Sequence, residues 1–423
     1  MPARPDDDEL ELIRRSGATL RVGRLSLSAG TGSYRVKASM ARVAHALGIE
    51  RHHAHVTLTE ITTTSHRGAS FRTEVTEVRT VGVNTDRLAR LELLTQRLEA
   101  QAPVTVEQVD AEVDGIAARG ALYPPALNAL WAALACAAFA FLNHGGPVEM
   151  LGAFVGAALG QGLRRGMLHR GVNQFGVTML AGALASVSYL GIVGVLDVLG
   201  LTATTHQAGY VAAALFLVPG FPLVTAALDL ARLDFSAGLA RLTWGLMIFV
   251  SAAFAVWTVS VVAGLGPGGS PAPAAESGPL ALAQLVASFL GVLGFALMFN
   301  SPWRMALVAA GIAAVPNVGR IFAAGNLGWP PQIAAAVAAF AIGLLAAFAA
   351  PRINIPRITV YVPAVTIMVP GVPAYQAISY LSDGDVAQAL PYGVSAALGV
   401  VALAVGLAVA RMVTDREWGF ETT

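Results

Sequence analysis

The order of apolar and polar residues divides the chain at about Tyr123. After this residue, apolar stretches of about 17 to 27 residues follow one another, and each is long enough to cross a hydrocarbon core of about 30 Å. We count ten of them, near residues 124–143, 147–163, 174–200, 206–228, 239–264, 280–299, 303–323, 329–350, 357–380 and 388–410. This pattern predicts a polytopic α-helical membrane protein.

The first 123 residues show shorter and mixed periods. Four segments carry apolar residues at helical spacing, and two are rich in Val, Thr and Ile or alternate as strands do. The expected helices cover residues 10–27, 34–47, 86–98 and 104–116, and the expected strands cover 55–61 and 71–81. Gly48 is placed to end the second helix, and the polar segment 64–68 is expected to form the turn between the strands. These features predict a small α+β domain.

Composition and charge support this division. The chain is 55% hydrophobic and 13% charged, with a mean hydropathy of +0.63, which is too apolar for a soluble domain. The 27 basic and 26 acidic residues nearly cancel, so no excess positive charge is present to neutralise nucleic-acid phosphates. Residues 1–123 hold 16 of the basic and 16 of the acidic residues, so most of the charge lies outside the apolar part.

The arginines predict the orientation in the membrane. With the N-terminus inside, the inner connections and the tail hold ten arginines, whereas the outer connections hold only Arg320. Because positive loops remain in the cytoplasm, both termini are expected there, and the protein is expected in the cytoplasmic membrane. The acidic start at residues 6–9 is unlike a secretory signal, which also favours a cytoplasmic N-terminal domain.

A repeated sequence relates the two halves of the apolar part. Residues 216–230 read FLVPGFPLVTAALDL and residues 367–381 read IMVPGVPAYQAISYL, with six of fifteen positions identical at an offset of 151. The same offset places the first five spans on the second five. Because five is odd, the second copy is inverted, as in many secondary transporters. The predicted domains are 1–123, a first repeat at 124–265, a Pro/Gly/Ser-rich linker at 266–279, a second repeat at 280–410 and a tail at 411–423.

The two VPGxP motifs are expected near the middle of the membrane. Their prolines remove backbone donors and are expected to free the carbonyls of Leu215, Val218, Thr366 and Val369. Free carbonyls suit an ammonium group, and the amides that begin the following half-helix suit a carboxylate. Routine proline kinks are the alternative, and Thr225, Tyr375 and Gln376 fit interhelical hydrogen bonds equally well. The predicted substrate pathway comprises Pro219, Gly220, Pro222, Thr225, Thr366, Pro370, Gly371, Pro373, Tyr375 and Gln376.

Few ionisable residues occur in or beside the spans. Such residues are candidates for proton coupling or gating, although carboxylates at span ends are often simply solvated. Asp229 and Asp234 with Arg232 and Arg241 fit either a cytoplasmic gate network or an ordinary solvated loop. The candidates for coupling or gating are Asp197, Asp229, Arg232, Arg241 and Glu149.

No motif in the sequence indicates catalysis or a cofactor. The single Cys136 excludes a disulfide framework, no GxSxG turn surrounds a serine, and no phosphate-binding P-loop is present. The five histidines between residues 45 and 66 match no metal-ligand spacing. We predict no catalytic residue, metal or cofactor. The expected partners are the lipid bilayer and a small-molecule substrate, not nucleic acid, and a homo-oligomer is left open.

Several segments resemble a known family. The run 30–48, GTGSYRVKASMARVAHALG, looks like the start of the soluble domain of the threonine/serine exporter family, and 81–91, VGVNTDRLARL, looks like a later helix entry of that domain. The two VPGxP segments resemble the family's membrane segments, and the resemblance covers essentially the whole chain. Tyr34 and Arg35 are carried over as motif positions, with domain stability as an alternative role. Lys37 departs from the pattern, since many members have an acidic residue there.

The resemblance implies a secondary exporter of small hydroxy amino acids, threonine and serine, driven by the proton motive force. Members split into two polypeptides are associated with dicarboxylates such as succinate, so a dicarboxylate exporter is an alternative. A membrane-anchored enzyme or sensor that acts through the N-terminal domain is a third possibility.

Overall fold

The structure is a computed structural model that describes residues 5–79, 81–201, 209–265, 278–415 and 418. The chain forms two compact units. Unit 1 comprises Met1–Leu122 and Thr225–Thr243, and unit 2 comprises Tyr123–Val224 and Trp244–Thr423. Residues 266–277 of the predicted linker and residues 416–417 and 419–423 of the predicted tail lie outside the described residues.

Unit 1 contains four helices and a three-stranded antiparallel sheet in the order β1-β2-β3. The four predicted helices are confirmed. They are α1 (Pro5–Ser28), α2 (Ser33–Ala46), α3 (Thr85–Ala100) and α4 (Val106–Ala117), and the strands are β1 (Arg51–Val56), β2 (Glu60–Arg67) and β3 (Ser70–Glu77).

Apolar side chains at helical spacing form the core of unit 1. One cluster joins the four helices through residues such as Val22, Val43 and Leu94. A second lies between the helices and the sheet and includes Met40 and Ile61. Each fully buried side chain of this kind contributes about 1.5–3 kcal/mol relative to exposure.

Gly48 ends α2 as predicted. Its φ is +74°, its amide donates to the carbonyl of His45, and the amide of Ile49 donates to the carbonyl of Ala44. This is a Schellman motif, in which glycine adopts the left-handed conformation at the end of the helix without a Cβ penalty.

The boundaries predicted for the first strand and the turn were wrong, whereas the second predicted strand, at 71–81, overlaps β3 over residues 71–77. The expected strand at 55–61 spans the turn between β1 and β2, and the expected turn at 64–68 lies largely within β2. The reason is that the inward positions of β2 include the buried polar residues Thr63 and Ser65. Inward and outward residues therefore differ little in hydropathy, and the twofold period of the strand is hidden.

Unit 2 is helical, and two helices, α9 (Gly220–Ala231) and α10 (Phe235–Val262), contribute residues to both units. The first half of the chain after Tyr123 forms α5 (Pro125–Leu142), α6 (Pro147–His169), α7 (Gln174–Val198), α8 (Tyr210–Ala213), a 3₁₀ turn (Leu215–Leu217), α9 (Gly220–Ala231) and α10 (Phe235–Val262). The second half forms α11 (Gly278–Met298), α12 (Trp303–Gly325), α13 (Pro331–Arg352), α14 (Ile358–Thr366), α15 (Gly371–Ser382) and α16 (Val386–Thr414).

Seven helices in the described part of the chain are long and apolar enough to cross a membrane, namely α5, α7, α10, α11, α12, α13 and α16. The pair α14 and α15 is bent by 46° at its break and makes an eighth if it is counted as one span. Leu215–Ala231 is a shorter apolar helical stretch. The prediction of a polytopic α-helical membrane protein with a small α+β part is confirmed, and the count of ten spans stays a prediction.

Small residues allow α6 and α7 to approach closely. A Cβ on Gly156 would lie 2.5 Å from the carbonyl oxygen of Ala185, and a Cβ on Gly160 would lie 2.8 Å from that of Ala181. A Cβ on Gly152 would lie 2.6 Å from the ring of Tyr189. Close backbone packing at small residues is the usual means of holding helices together in a membrane.

A chain of polar side chains runs through the core of unit 1. The hydroxyl of Ser16 donates to Glu74 at 2.6 Å, the hydroxyl of Ser65 lies 3.4 Å from that of Ser16, and Nδ1 of His52 lies 3.0 Å from Ser65. Among the described residues, Nε2 of His52 is buried without a hydrogen-bond partner. Burial, together with the charge of neighbouring His53, lowers the pKa of His52 to about 4.

We therefore expect acid to destabilise unit 1. His52 becomes protonated below about pH 6.5 in the unfolded chain but only near pH 4 in the folded one. Stability is thus full above pH 6.5 and falls as the pH drops towards 4, by up to about 2 kcal/mol at pH 5. Hydrogen exchange of the β1 and β2 peptides in the full chain measures this loss. Because the intrinsic rate of amide exchange changes with pH, the exchange rate of the wild type is divided at each pH by that of His52→Gln.

The matched control is His55→Gln, which alters an exposed histidine on the same strand. This variant should follow the wild-type pH dependence, whereas His52→Gln should flatten it. An equal pH dependence in wild type and His52→Gln would contradict the assignment.

Candidate functional site

The two VPGxP motifs break their helices in the same way. At each motif a valine amide donates to the carbonyl three residues earlier, Val218 to Leu215 and Val369 to Thr366. The amide of the following glycine then donates to that valine's carbonyl, Gly220 to Val218 and Gly371 to Val369, at 2.8 Å in both cases. Pro370 has φ −78° and ψ 63°, the values of an inverse γ-turn.

This geometry corrects one expectation. The carbonyls of Leu215, Val218, Thr366 and Val369 were expected to be free, but each accepts a local hydrogen bond. The reason is that a 3₁₀ turn followed by a γ-turn replaces the helical bonds that proline removes. The amides of Gly220 and Gly371 are used in the same turns.

The two breaks pack against each other through reciprocal contacts. A Cβ on Gly220 would lie 3.1 Å from methyl groups of both Thr366 and Val369. A Cβ on Gly371 would lie 3.2 Å from Leu215. Leu215 and Thr366 are related by the same offset of 151 as the two glycines, so each break presents its glycine to the equivalent residue of the other.

Buried polar side chains surround the breaks. The hydroxyls of Tyr210 and Tyr375 form a hydrogen bond, and their rings are perpendicular with centroids 5.7 Å apart. Gln376 is also buried, and the hydroxyl of Thr366 donates to the carbonyl of Val362 at 2.9 Å. Tyr375, Gln376 and Thr366 were predicted.

Tyr210 was missed. The signal for it was present, because the offset of 151 matches Tyr210–Val211 with Tyr361–Val362, just upstream of the aligned segments. Extending the repeat alignment by six residues would have included this pair.

The second proline of each motif lies in the first turn of the helix that follows the break. Pro222 lies in the first turn of α9 and Pro373 in the first turn of α15, where a missing amide donor costs little. Thr225 is buried and belongs to unit 1.

A cavity of about 150 Å³ lies beside the second break in unit 2. Its wall includes residues 367–373, together with Phe139 and the polar side chains of Asn143, Arg320, Gln332 and Ser395. Arg320 was counted with the outer connections, but the structure places it inside α12. Sequence reasoning therefore missed a cationic group beside the predicted pathway.

Residues 30–33 of unit 1, which we call the GTGS segment, are held by a buried ion pair. Asp229 and Arg241 are both buried, and Nε of Arg241 donates to Asp229 at 3.3 Å. Asp229 also accepts from the amide of Ser33 at 2.9 Å, and Arg241 donates to the carbonyl of Thr31 at 2.9 Å. The carboxylate thus lies at the N-terminus of α2, where the helix dipole favours negative charge.

The glycines of this segment permit the close approach. Gly30 has φ +95°, and a Cβ there would lie 2.4 Å from the carbonyl oxygen of Gly82. A Cβ on Gly32 would lie 2.6 Å from the carboxylate of Asp229. Side chains at these positions would therefore displace the loop from its partners.

Lys37 has a specific partner. Its ammonium forms a salt bridge with Asp234, and the hydroxyl of Ser33 donates to the same carboxylate at 3.2 Å. The residue that departs from the family pattern is therefore part of the same polar cluster. Arg232, the remaining member of the predicted gate network, is exposed after α9.

Tyr34 and Arg35 lie on α2 and belong to a different polar group. Nε of Arg35 donates to the hydroxyl of Tyr34 at 3.0 Å. Nη1 of Arg35 lies 3.8 Å from Oε2 of Glu92. Burial alone would raise the pKa of Glu92, but the charges of Arg35 and Arg42 outweigh burial and hold that pKa below its ordinary value. These contacts support a stabilising role for the two motif residues.

Two further candidates lie at helix ends in unit 2. Glu149 accepts from the amide of Gly146 at 2.9 Å and caps α6, and Asp197 is exposed in the last turn of α7. The hydrogen bond to Gly146 explains the position of the Glu149 carboxylate at the start of α6.

We expect Asp229→Asn to destabilise unit 1 strongly. The change leaves Arg241 buried without its counter-charge, which costs about 3–5 kcal/mol. The measurement is the thermal stability of the purified full chain, read from the surviving size-exclusion peak after heating.

The matched control is Asp114→Asn, which weakens an exposed ion pair with Arg21. Exposed pairs contribute at most about 1 kcal/mol, so this variant should remain close to wild type. Equal stability of the two variants would show that the buried pair does not hold the segment.

The family described as "Putative threonine/serine exporter" matches residues 18–263, and the family described as "Threonine/Serine exporter, ThrE" matches residues 284–413. The threonine/serine exporter of Corynebacterium glutamicum is 26% identical over 408 residues, which cover 90% of this chain and 80% of that protein. No solved structure matches the chain.

The chain is also similar, over a shorter length, to two probable succinate transporter subunits. The probable succinate transporter subunit YjjP of Escherichia coli is 31% identical over 138 residues, and that of Klebsiella aerogenes is 29% identical over 137 residues. Each match covers 32% of this chain and 51% of the relative. Because the first family match spans more than half of the chain and the second covers most of the remainder, the chain belongs to the threonine/serine exporter family.

Proposed function

We propose that the protein is a secondary active exporter of threonine and serine in the cytoplasmic membrane, driven by the proton motive force. Both termini face the cytoplasm in this proposal, as the distribution of arginines favours. Family membership supports export of an amino acid, and the C. glutamicum relative is itself named a threonine/serine exporter.

The reciprocal packing of the two breaks carries the proposal. Equivalent residues exchange equivalent contacts, Gly220 with Thr366 and Gly371 with Leu215, as expected when two repeats are related by a twofold axis. Such an axis in the membrane plane gives an inverted repeat, and broken helices at its centre are where secondary transporters bind their substrates. We infer that the breaks line the substrate pathway.

The side chains beside the breaks suit a small hydroxy amino acid. The hydroxyls of Tyr210 and Tyr375 and the amide of Gln376 are buried near the second break and can exchange hydrogen bonds with a substrate hydroxyl. The surrounding residues are apolar, so a polar solute gains specificity from these few groups.

We assign the Asp229–Arg241 pair to gating. The pair ties α9 and α10 to the GTGS segment through Ser33 and Thr31. Protonation of the Asp229 carboxylate would weaken its attraction for Arg241, which offers a route by which protons could act on the segment.

Transport through the breaks predicts that Pro219→Ala and Pro370→Ala reduce flux at least about tenfold. Alanine supplies the missing amide donor and therefore favours a continuous helix. A preference of about 1.4 kcal/mol for the continuous helix lowers the population of the broken helix by a factor of about ten. The measurement is uptake of labelled threonine and serine into proteoliposomes with an imposed proton gradient and membrane potential.

Pro391→Ala is the matched control, because Pro391 is an exposed proline inside α16, eight residues before Gly399, a position at which this helix contacts Pro370. It should retain wild-type flux. Full activity of both break variants would contradict the pathway, and wild-type flux that ignores the gradient would contradict proton coupling.

A dicarboxylate exporter is the second candidate. The observation that favours it is the match to the two probable succinate transporter subunits, whose length this chain covers by about half. Labelled succinate in the same proteoliposomes separates the two: uptake of succinate without threonine or serine would replace the first proposal with this one.

A further inference from the structure

Arg320 is a cationic side chain on the wall of the cavity beside the second break. It lies in α12, within a helix long and apolar enough to cross a membrane. Charged residues in such helices are costly and usually serve a substrate or ion pathway. The contacts of Arg320 indicate which kind of solute it serves.

A buried neutral network holds the arginine in place. Nε of Arg320 donates to Oδ1 of Asn317 at 3.0 Å, and Nδ2 of Asn317 donates to the hydroxyl of Ser288 at 2.8 Å. Asn317 and Ser288 are fully buried. One edge of the guanidinium is therefore fixed, and in the described part of the chain no hydrogen bond from its two terminal nitrogens is found, which suits them to an incoming acceptor.

Arg320 differs from the other buried arginine described above. Arg241 is neutralised by Asp229, whereas Arg320 forms no ion pair with any residue that the structure describes. A guanidinium fixed by neutral groups in an apolar region is suited to an incoming carboxylate, which it can bind through two parallel hydrogen bonds.

A similar pair occurs in the first half, at an offset of 156 rather than 151. Gln161 and Arg164 of α6 have the spacing of Asn317 and Arg320, and Nη1 of Arg164 donates to Oε1 of Gln161 at 3.3 Å. Gln161 in turn donates to the buried Asn128 at 2.7 Å. An arginine held by an amide three residues earlier is therefore a recurring element of the fold.

The rest of the cavity suits a small polar solute. Nε2 of Gln332 donates to the hydroxyl of Ser395 at 3.1 Å, which leaves Oε1 of Gln332 as an acceptor. Phe139 and Ile367 supply apolar surface. A cavity of about 150 Å³ is large enough for a molecule of the size of benzene.

We propose that this cavity is the carboxylate subsite of the transporter, in which Arg320 binds the carboxylate of the transported solute and Asn317 positions the guanidinium. The inference rests on the proposed export function and adds that every transported solute carries a carboxylate. Amino acids and dicarboxylates both meet this requirement, so the subsite is compatible with either substrate class.

Binding of labelled threonine and labelled succinate to the purified full chain, measured by scintillation proximity, tests the subsite. Unlabelled threonine and threoninol, which lacks the carboxylate, serve as competitors. For the wild type, threonine should compete at least about tenfold better than threoninol, the difference expected for a charge-assisted hydrogen bond. Arg320→Gln should weaken threonine binding by a similar factor and abolish the discrimination.

Two further variants keep the test informative if Arg320→Gln does not fold. Arg320→Lys keeps the charge without the planar fork and should give an intermediate affinity. Ser395→Leu fills the cavity and leaves the arginine intact, and it should also weaken binding. Arg304→Gln, an exposed arginine in the first turn of the same helix, is the matched control and should bind as the wild type does.

The outcomes separate the subsite from the proposed function. Threonine binding that is unchanged in both Arg320→Gln and Ser395→Leu would overturn the subsite and leave the exporter proposal standing. Succinate binding that requires Arg320, without threonine binding, would support the subsite and overturn threonine as the substrate. A wild-type protein that binds none of these carboxylates would overturn the subsite.

Discussion

The structure of unit 2 depends on one constraint: a proline in an apolar span leaves backbone groups that lipid cannot satisfy. The chain meets this constraint locally at both motifs, because a 3₁₀ turn and a γ-turn take up the carbonyls that the helix loses. The breaks then face each other, and Gly220 and Gly371 allow contact with Thr366 and Leu215. A solute near these breaks therefore meets closed turns and a few side chains rather than a row of free backbone groups.

A related constraint shapes unit 1. Asp229 and Arg241 are buried, and neither charge is tolerable there without the other. Their remaining hydrogen-bonding groups reach the backbone of Thr31 and Ser33, so the start of α2 is fixed by residues about 200 positions later in the chain. The glycine-rich motif of the family thus has a physical explanation, since Gly32 leaves the space that the Asp229 carboxylate occupies.

Much of the fold could be predicted because its signals are local. Helical periodicity located the four helices of unit 1, Gly48 marked a helix end, and the length of apolar runs identified a polytopic membrane protein. The first strand was misplaced because Thr63 and Ser65 are polar residues at inward positions of β2. The surroundings of the two buried arginines could not be predicted from the sequence for a different reason. The partners of Arg241 and the cavity next to Arg320 arise from contacts between distant segments, which composition and spacing do not encode.

The central claim is that the two breaks line one substrate pathway, and cysteine accessibility tests it most directly. Cys136 is the single native cysteine, so Cys136→Ala provides a background for Val218→Cys and Val369→Cys, which occupy equivalent positions in the two breaks. We predict that a membrane-impermeant thiol reagent labels the two positions from opposite faces of the membrane and that threonine slows both reactions. Labelling of neither position, or labelling that threonine does not alter, would contradict the claim.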